Sequence, residues 1–265
     1  MKISSITQPI IILFLFYIIF GLFLYFNQTN LLFYPNNQDF KACPNLDYTQ
    51  KITHNQTRFY YYQDKTNTND LVIYYHGNAG SACDRFELAN KLKQNNLSFI
   101  IVEYSGYSNN KNKINKNNLN QNILDIIDFT KTQNYTNIIL GGTSLGGGFV
   151  SKHAKLQTPN KIFLISPFDK LSNLVQSKYK IYPANFLLKF EFNNIKNLEN
   201  YTNKIIIYHG NKDKIIPNKF SQNLFNNLQT KNKTYKLIEN VGHNNLHSNK
   251  FYDKLISNFI INEPK

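Results

Sequence analysis

The chain is organised around residues 138–150, which read Ile138-Ile139-Leu140-Gly141-Gly142-Thr143-Ser144-Leu145-Gly146-Gly147-Gly148-Phe149-Val150. An apolar, strand-like run passes through glycines into a segment with helical spacing. Ser144 stands between Gly142 and Gly146, and this Gly-x-Ser-x-Gly spacing is typical of a nucleophile elbow, a strained turn in which larger flanking side chains would collide. Such a turn exposes the Ser144 hydroxyl and leaves the N–H of Leu145 at a helix start, where it can face a developing oxyanion. Glycine-rich strand–helix junctions also contain this motif by chance, so the rest of the chain decides its meaning.

Length and charge restrict the classes of protein to consider. The 265 residues are enough to bury one large core, so one catalytic domain is expected. The hydrophobic fraction of 42% excludes wholesale disorder. The net charge of +14 comes almost entirely from scattered lysines, and no run combines clustered basic residues with stacking aromatics. We therefore expect no nucleic-acid partner.

The chain has two cysteines, Cys43 and Cys83. Their separation fits neither a metal-ligand pattern nor a Cys-x-x-Cys motif, and two cysteines cannot build a disulfide framework. The interpretation that the sequence favours is two unpaired thiols.

Residues 9–26 form an apolar run without a charged side chain. At about 1.5 Å per residue, a helix of this length spans roughly 27 Å of a hydrocarbon core about 30 Å thick. We expect residues 1–30 to be an uncleaved membrane anchor, because no small-x-small cleavage site follows; a cleaved signal peptide and a buried helix are the alternatives. Lys2 precedes the run and Lys41 is the first lysine after it, which favours a cytoplasmic N-terminus and a catalytic domain on the non-cytoplasmic side of a single-pass protein.

Residues 31–265 are predicted to form one α/β domain. Strand-like runs alternate with amphipathic runs, which predicts a mainly parallel sheet with helices on both faces. The strand at 57–63 could pair with the strand at 71–76. The other candidate strands lie at 98–104, 138–143, 161–166, 204–208 and 234–239, and the candidate helices lie at 82–93, 119–131, 146–156, 217–228 and 249–261.

A serine nucleophile needs a base and an acid that orients the base, and in a parallel sheet these groups gather at the carboxyl ends of strands. His243 lies in the loop after the last predicted strand and is the candidate base. Asp213 lies just beyond the preceding strand and is the candidate acid, which completes the chain order Ser, Asp, His. His247 is the competing histidine, but it is expected in the next helix or at its entrance. Taken alone, His243 and Asp213 could also be a surface-loop histidine and a turn aspartate.

The segment His76-Gly77-Asn78-Ala79 follows an early buried strand. An oxyanion hole needs a second N–H opposite Leu145, and Asn78 is the candidate donor. His76 is expected to hold this loop in place. A phosphate-binding loop is disfavoured because the glycine spacing of a dinucleotide or P-loop fingerprint is absent.

Together these residues resemble the α/β-hydrolase superfamily, and in particular the membrane-associated serine hydrolases that include eukaryotic protein depalmitoylases and their bacterial relatives. The resemblance extends over about residues 31–259. It implies an eight-stranded sheet with a small helical cap inserted at about 167–201, a triad of Ser144, Asp213 and His243, and oxyanion donors at Asn78 and Leu145. The motifs that carry it are Leu32-Phe33-Tyr34-Pro35, His76-Gly77-Asn78-Ala79-Gly80, Glu103-Tyr104-Ser105-Gly106-Tyr107, Gly142-Thr143-Ser144-Leu145-Gly146-Gly147, Ser166-Pro167-Phe168, Tyr182-Pro183, His209-Gly210-Asn211-Lys212-Asp213 with Ile216-Pro217, and Gly242-His243-Asn244.

Two features depart from that family. Where its members usually have Asp-Tyr-Arg-Gly-Tyr-Gly, residues 103–108 read Glu-Tyr-Ser-Gly-Tyr-Ser, so an arginine that braces the loop near the site is missing. The N-terminal cysteine cluster of the eukaryotic depalmitoylases is also absent, and an apolar helix takes its place. Depalmitoylation is therefore not carried over.

The sequence predicts a membrane-anchored serine hydrolase that cleaves ester or thioester bonds through an acyl-enzyme, without a metal or organic cofactor. The anchor and the apolar residues Phe186, Leu187, Leu188 and Phe190 suggest an acylated or lipid-like substrate, although packing inside the cap is the preferred interpretation of those four. The alternatives are a serine peptidase or amidase and a non-catalytic, membrane-tethered binding protein on the same fold.

Overall fold

The computed structural model describes residues 7–67 and 69–261. The helices are α1 Thr7–Phe26, α2 Gln28–Leu32, α3 Phe86–Gln94, α4 Lys116–Lys131, α5 Gly146–Leu156, α6 Leu171–Lys178, α7 Ala184–Leu187, α8 Asn194–Asn197, α9 Lys219–Asn227 and α10 Asn249–Leu255. The strands are β1 Tyr34–Pro35, β2 Gln50–His54, β3 Thr57–Tyr62, β4 Asp70–Tyr75, β5 Ala79–Gly80, β6 Ser98–Glu103, β7 Asn137–Thr143, β8 Lys161–Ile165, β9 Lys204–Gly210 and β10 Lys233–Ile238. Short 3-10 turns at Pro44–Leu46 and Ala82–Arg85 and a π-helical turn at Ile256–Ile261 complete the secondary structure of these residues.

Eight strands form one sheet in the order β10-β9-β8-β7-β4-β6-β3-β2. The pairs β2–β3 and β3–β6 are antiparallel, and the other pairs are parallel. The predicted pairing of the strand at 57–63 with the strand at 71–76 is wrong, because β6 and β7 occupy both edges of β4 and leave β3 to pair with β6. Strand β2 was not predicted; its burial is only partial, so its apolar signal is weak.

Apolar side chains cover both faces of the sheet, as buried parallel strands require. One core layer joins the sheet to α4, α5, α9 and the cap, and includes Ile126, Phe149 and Leu224. The other joins it to α3 and α10, and includes Leu92 and Leu255. The expected mainly parallel sheet with helices on both faces is therefore confirmed.

The predicted insertion at 167–201 contains the three short helices α6, α7 and α8, which cover the carboxyl end of the sheet and are called the cap below. The preferred interpretation of its apolar residues, packing inside the cap, holds for Phe190, which is 4% exposed, but is wrong for Phe186, which is 88% exposed. Helix α7 has a single turn. One turn is too short to bury all of its apolar side chains.

Within the described residues, the stretch Gln8–Phe26 of α1 is long and apolar enough to cross a membrane, a property that it shares with signal sequences. Helix α2 follows almost at once and leads into β1. Strand β1 pairs in parallel with β5, where Tyr34 lies opposite Ala79. This pairing ties the segment after α1 to the loop that contains Asn78.

The two cysteines are joined in a disulfide, Cys43–Cys83, with Cα atoms 5.9 Å apart. The expectation of two unpaired thiols is therefore wrong. The positions are 40 residues apart in sequence, and the β1–β5 pairing together with the hydrogen bond from Gln38 Nε2 to Cys83 Sγ joins the two segments. Both residues are buried in the core layer beneath α3.

Reduction of this disulfide is expected to lower the free energy of unfolding by about 4 kcal/mol, because a cross-link across a loop of this length restricts the unfolded chain. Urea unfolding of the full chain with and without reductant measures the effect. The double variant Cys43→Ala, Cys83→Ala is the control and should not respond to the reductant. An equal response of the double variant would show that the reductant acts elsewhere.

Candidate active site

Ser144 lies at the turn between β7 and α5 with a φ of 54°. Its N–H donates to Ile165 O at 2.8 Å, which ties the turn to the neighbouring strand β8. A Cβ on Gly142 would lie 2.7 Å from the backbone of Gly146, and a Cβ on Gly146 would lie 2.0 Å from the carbonyl oxygen of Tyr75. Both glycines are therefore required by close approach of backbone to backbone, for the steric reason that the motif predicts.

Asp213 and His243 come together across the ends of β9 and β10. His243 Nδ1 lies 2.6 Å from Asp213 Oδ2, and the carboxylate is completely buried. The other oxygen, Oδ1, accepts the N–H groups of Ile215 and Ile216 at 2.9 and 2.8 Å. An ionised carboxylate can only accept, so Nδ1 carries the proton and Nε2 of a neutral His243 retains a lone pair.

His209 makes a further contact with the same carboxylate that the sequence analysis missed. Its Nε2 lies 3.1 Å from Asp213 Oδ2 and 2.8 Å from Ile216 O. Since both neighbours are acceptors, Nε2 carries the proton. The signal was the i, i+4 spacing of His209 and Asp213, which the sequence analysis did not use.

These hydrogen bonds determine the ionisation of Asp213. Burial by itself raises the pKa of the carboxyl, but the hydrogen bonds from His209 and His243, the charge of His243 and the N–H of Ile216 lower it further, and the net pKa lies far below its usual value. Asp213 is therefore an anion at neutral pH and can stabilise an imidazolium at His243.

The competing histidine, His247, turns away from this pair. Its Nδ1 shares a hydrogen bond of 2.7 Å with the hydroxyl of Tyr252 in α10. Burial lowers the pKa of His247 to about 4. It stands just before the N-cap Ser248 of α10, at the helix entrance where the sequence analysis placed it.

Ser144 and His243 line the same cavity of about 500 Å³. Asn78 and Leu145 also line it. No hydrogen bond joins the Ser144 hydroxyl to His243 in the part of the chain that the structure describes; such contacts often tighten only when substrate binds. All of the predicted site residues except Asp213 thus line one cavity. Asp213 is buried behind His243, to which it is hydrogen-bonded.

The N–H groups of Asn78 and Leu145 are both free to bind an anion. Neither donates to an acceptor within residues 7–67 and 69–261. The Asn78 loop is held firmly, because its carbonyl accepts from Tyr34 N at 2.9 Å and from the hydroxyl of Tyr107 at 2.7 Å. The Asn78 side chain donates to Leu32 O at 3.1 Å. The loop is therefore preorganised before any substrate arrives.

Arg85 braces the same loop from a position that the sequence analysis did not identify. Its guanidinium donates to Ala79 O at 2.9 Å and to Ser81 O at 3.3 Å. At the position where the family has arginine, Ser105 is buried and donates its N–H to Asn122 Oδ1 at 2.9 Å. Arg85 thus contacts the backbone carbonyls on either side of Gly80, although it does not stand at the sequence position of the family's arginine.

His76 lies beneath the Asn78 loop and is completely buried. Its Nδ1 lies 2.7 Å from Gly77 O, and its Nε2 lies 3.4 Å from Glu103 Oε1. The second oxygen of Glu103 accepts from the hydroxyl of Ser108 at 2.6 Å and from Ala82 N at 3.2 Å. These contacts fit the expected positioning role of His76.

The walls of the cavity come from two parts of the chain that the sequence analysis treated separately. The helices after the N-terminus contribute one wall and the cap contributes the opposite wall. The first wall includes Leu24, Tyr25, Gln28, Leu31 and Leu32, and the second includes Leu171, Leu174, Val175, Tyr179, Tyr182, Leu187 and Leu188. No pattern in the sequence indicated that the predicted anchor reaches the site.

No family model matches the chain. Among curated proteins it is similar to an uncharacterized protein of Acanthamoeba polyphaga mimivirus, with 28% identity over 207 residues that cover 68% of this chain and 69% of the relative. It is also similar to the lysophosphatidylserine lipase ABHD12 of Bos taurus, with 23% identity over 188 residues that cover 63% of this chain and 47% of that lipase. The chain thus spans about half the length of the ABHD12 relatives that it matches.

Among solved structures, the fold is similar to that of the thermophilic esterase Est2 of the planctomycete Thermogutta terrifontis, with a TM-score of 0.66 and 14% identity, covering 88% of this chain and 96% of that one. The chain therefore has the α/β-hydrolase fold that the resemblance implies.

The structural neighbours include an esterase of Pyrococcus furiosus and a monoacylglycerol lipase of Paleococcus ferrophilus, and the ABHD12 protein of Bos taurus is a lysophosphatidylserine lipase. These comparisons support an ester hydrolase.

Proposed function

We propose that this chain is a membrane-anchored serine hydrolase that cleaves ester or thioester bonds of acylated, lipid-like substrates. The observation that carries the proposal is the convergence of the Ser144 elbow, the hydrogen-bonded pair of His243 and Asp213, and two free N–H groups on one largely apolar cavity. Acyl transfer needs a nucleophile, an oriented base and an oxyanion site in this relation.

In the proposed reaction, His243 Nε2 takes the proton of Ser144 as Oγ attacks the carbonyl carbon. The N–H groups of Asn78 and Leu145 hold the oxyanion, and Asp213 stabilises the imidazolium. His243 then gives its proton to the departing alcohol or thiol. Water, activated by the same histidine, hydrolyses the acyl-enzyme and regenerates the Ser144 hydroxyl.

The composition of the cavity supports a long acyl chain as the bound group. Its volume lies within the range of about 300 to 1,000 Å³ that is typical of ligand cavities, and leucine and aromatic side chains form most of its lining. Among the described residues that line the cavity, Lys178 alone has a permanent charge, and it is exposed. The similar ABHD12 protein of Bos taurus is a lysophosphatidylserine lipase, which supports the same substrate class.

Helix α1 supports attachment to a membrane. The Cys43–Cys83 disulfide supports a position of the domain on the non-cytoplasmic side of that membrane. Disulfides persist in oxidising compartments and are rare where glutathione keeps thiols reduced. A domain on the non-cytoplasmic side, as the lysine distribution favours, would form this bond.

Turnover of a p-nitrophenyl ester series from acetyl to palmitoyl by the full chain in detergent micelles tests the proposal. We expect kcat/KM to rise with chain length until the acyl group fills the cavity, because each buried methylene contributes about 0.8 kcal/mol. A p-nitroanilide with the best acyl group separates esterase from amidase. Faster cleavage of the anilide than of the ester would favour the peptidase or amidase alternative, and no cleavage of either would favour a binding protein.

A further inference from the structure

Helix α1 does not stand apart from the domain, because one side of it packs on the cap. The rings of Tyr17 and Tyr182 stack with centroids 4.7 Å apart. The Tyr182 hydroxyl donates to Tyr17 O at 2.9 Å, and the Tyr17 hydroxyl donates to Ile181 O at 3.0 Å. A Cβ on Gly21 would lie 2.9 Å from Cε1 of Tyr182, so glycine allows this close approach.

A second set of contacts lies at the carboxyl end of the helix. The Gln28 side chain donates to Leu187 O at 2.7 Å and accepts from Lys189 N at 2.8 Å. The Lys189 ammonium lies 4.2 Å from the centre of the Tyr25 ring. The cap therefore follows α1 and α2 from Tyr17 to Gln28, a distance of about 16 Å along a helix.

This docking determines how deep the cap lies if α1 spans a bilayer. Tyr17 is about 13 Å along the helix axis from Phe26, where α1 ends, and the hydrocarbon core is about 30 Å thick. The cap residues bonded to Tyr17 share its level. If the cap lay outside the bilayer, only residues 7–16 of the described helix would remain to cross it, and they extend only about 15 Å.

The surface of the cap has the chemistry of a lipid-facing element. Residues 181–188 contain no charged side chain, and lysines flank them at positions 178, 180 and 189. Ile181 is 69% exposed and Phe186 is 88% exposed. Apolar side chains between flanking lysines are typical of a segment that enters a leaflet while the ammonium groups reach the headgroups.

We infer that residues 181–188 of the cap are immersed in the bilayer leaflet beside α1, so that the cavity opens between α1 and the cap toward the lipid. The acyl chain of a membrane-resident ester would then reach Ser144 from within the leaflet. This inference rests on the proposed membrane span, and it assigns α1 a role in forming the substrate cavity as well as in anchoring the chain.

Depth-dependent quenching of a fluorophore at position 186 tests the inference. The full-length variant Phe186→Cys is labelled with a nitrobenzoxadiazole dye and reconstituted in vesicles of phosphatidylcholine with phosphatidylglycerol; Cys43 and Cys83 are buried in a disulfide and do not compete for the label. We expect quenching by lipids that carry a nitroxide on the acyl chain and protection from aqueous iodide. The matched control is Leu156→Cys, which is 55% exposed at the far end of α5 and should show the reverse pattern.

A third label distinguishes failure of the inference from failure of the anchor. Leu13 is 69% exposed on α1, and a label at Leu13→Cys reports whether the helix lies in lipid. Equal iodide quenching at positions 186 and 156 with a lipid-exposed label at position 13 overturns the immersed cap alone. If iodide quenches the labels at both position 186 and position 13, the membrane anchor is overturned as well. Neither result affects the esterase chemistry, which the soluble ester assay measures separately.

A ratio of activities tests the consequence for catalysis. Ile181 and Phe186 do not line the cavity, so Ile181→Ser with Phe186→Ser should act only on contact with lipid. We expect the ratio of turnover on a vesicle-borne palmitoyl ester to turnover on soluble p-nitrophenyl butyrate to fall by about a hundredfold or more, the loss expected when two apolar side chains of this size leave lipid. An unchanged ratio overturns the inference.

Discussion

Replacement of Ser144 by alanine is expected to lower kcat for ester hydrolysis by about 10⁵-fold, with little change in the free energy of unfolding. The substitution removes Oγ, the atom that is acylated in the proposed reaction. The Ser144 hydroxyl makes no hydrogen bond within the described residues, and alanine accepts the same turn at the cost of the strain already present at a φ of 54°. Stopped assays with p-nitrophenyl esters and covalent labelling by a fluorophosphonate measure the loss.

The control for this substitution is Ser177→Ala. Ser177 is an exposed serine of α6 whose hydroxyl donates to Leu174 O at 2.7 Å, and it does not line the cavity. It should retain both labelling and turnover. Residual turnover by Ser144→Ala above about one hundredth of the unsubstituted rate would show that another group is the nucleophile, and the proposed reaction would then be wrong.

Replacement of Asp213 by asparagine is expected to lower kcat by about 10³- to 10⁴-fold while leaving KM nearly unchanged. An amide can present its NH₂ group to His243 Nδ1, which favours the tautomer with the proton on Nε2 and leaves no lone pair to accept the Ser144 proton. It also removes the charge that stabilises the imidazolium. Steady-state kinetics on a soluble short-chain ester separate kcat from KM.

The dependence on pH follows from the lowered pKa of Asp213. Because the folded pKa lies far below the unfolded value of about 3.9, the contribution of this carboxylate to the free energy of unfolding is fully present above about pH 4 and is lost only as the pH falls further. Asp213 therefore stays ionised throughout the pH range in which the enzyme is assayed. The loss of kcat in Asp213→Asn should therefore be similar from about pH 6 to pH 9. A loss that disappears at high pH would contradict a role for the ionised carboxylate.

The chain contains its own matched control for this histidine–aspartate pair. His54 Nε2 lies 2.8 Å from Asp128 Oδ2, and this pair is exposed to solvent and remote from the cavity. Asp128→Asn makes the same chemical change at a surface pair and should leave kcat unchanged. An equal loss in both variants would mean that the effect is not specific to the site.

Much of the site could be predicted because its residues obey local rules. The glycines around Ser144 are required by backbone contacts within a few residues of the turn and with β4, so the elbow is visible in five letters of sequence. Asp213 and His243 follow strands whose apolar runs are continuous, and parallel strands place their carboxyl ends at one edge. The prediction of these three residues needed only the order of strands and loops.

Of the contacts that were missed, the Cys43–Cys83 disulfide joins positions 40 residues apart. Arg85 and His209 contact residues within seven positions of themselves. His209 had a local signal, its i, i+4 spacing to Asp213, whereas Arg85 and the cysteine pair act through the spatial position of their partners. The disulfide was predicted wrongly because contacts between distant segments, among them the β1–β5 pairing, make Cys43 and Cys83 neighbours.

The mainly parallel sheet, the elbow and the order of the candidate triad follow from the amino-acid sequence, because they depend on the period of apolar residues and on sterics within single turns. The surroundings of Ser144 instead depend on how distant elements pack. Helices α1 and α2 and the cap are separated by well over a hundred residues, yet the contacts of Tyr17 with Tyr182 and of Gln28 with Leu187 hold together the walls of one cavity. Such a cavity depends on how whole elements pack, and packing energies between distant elements leave no periodic signal in the chain.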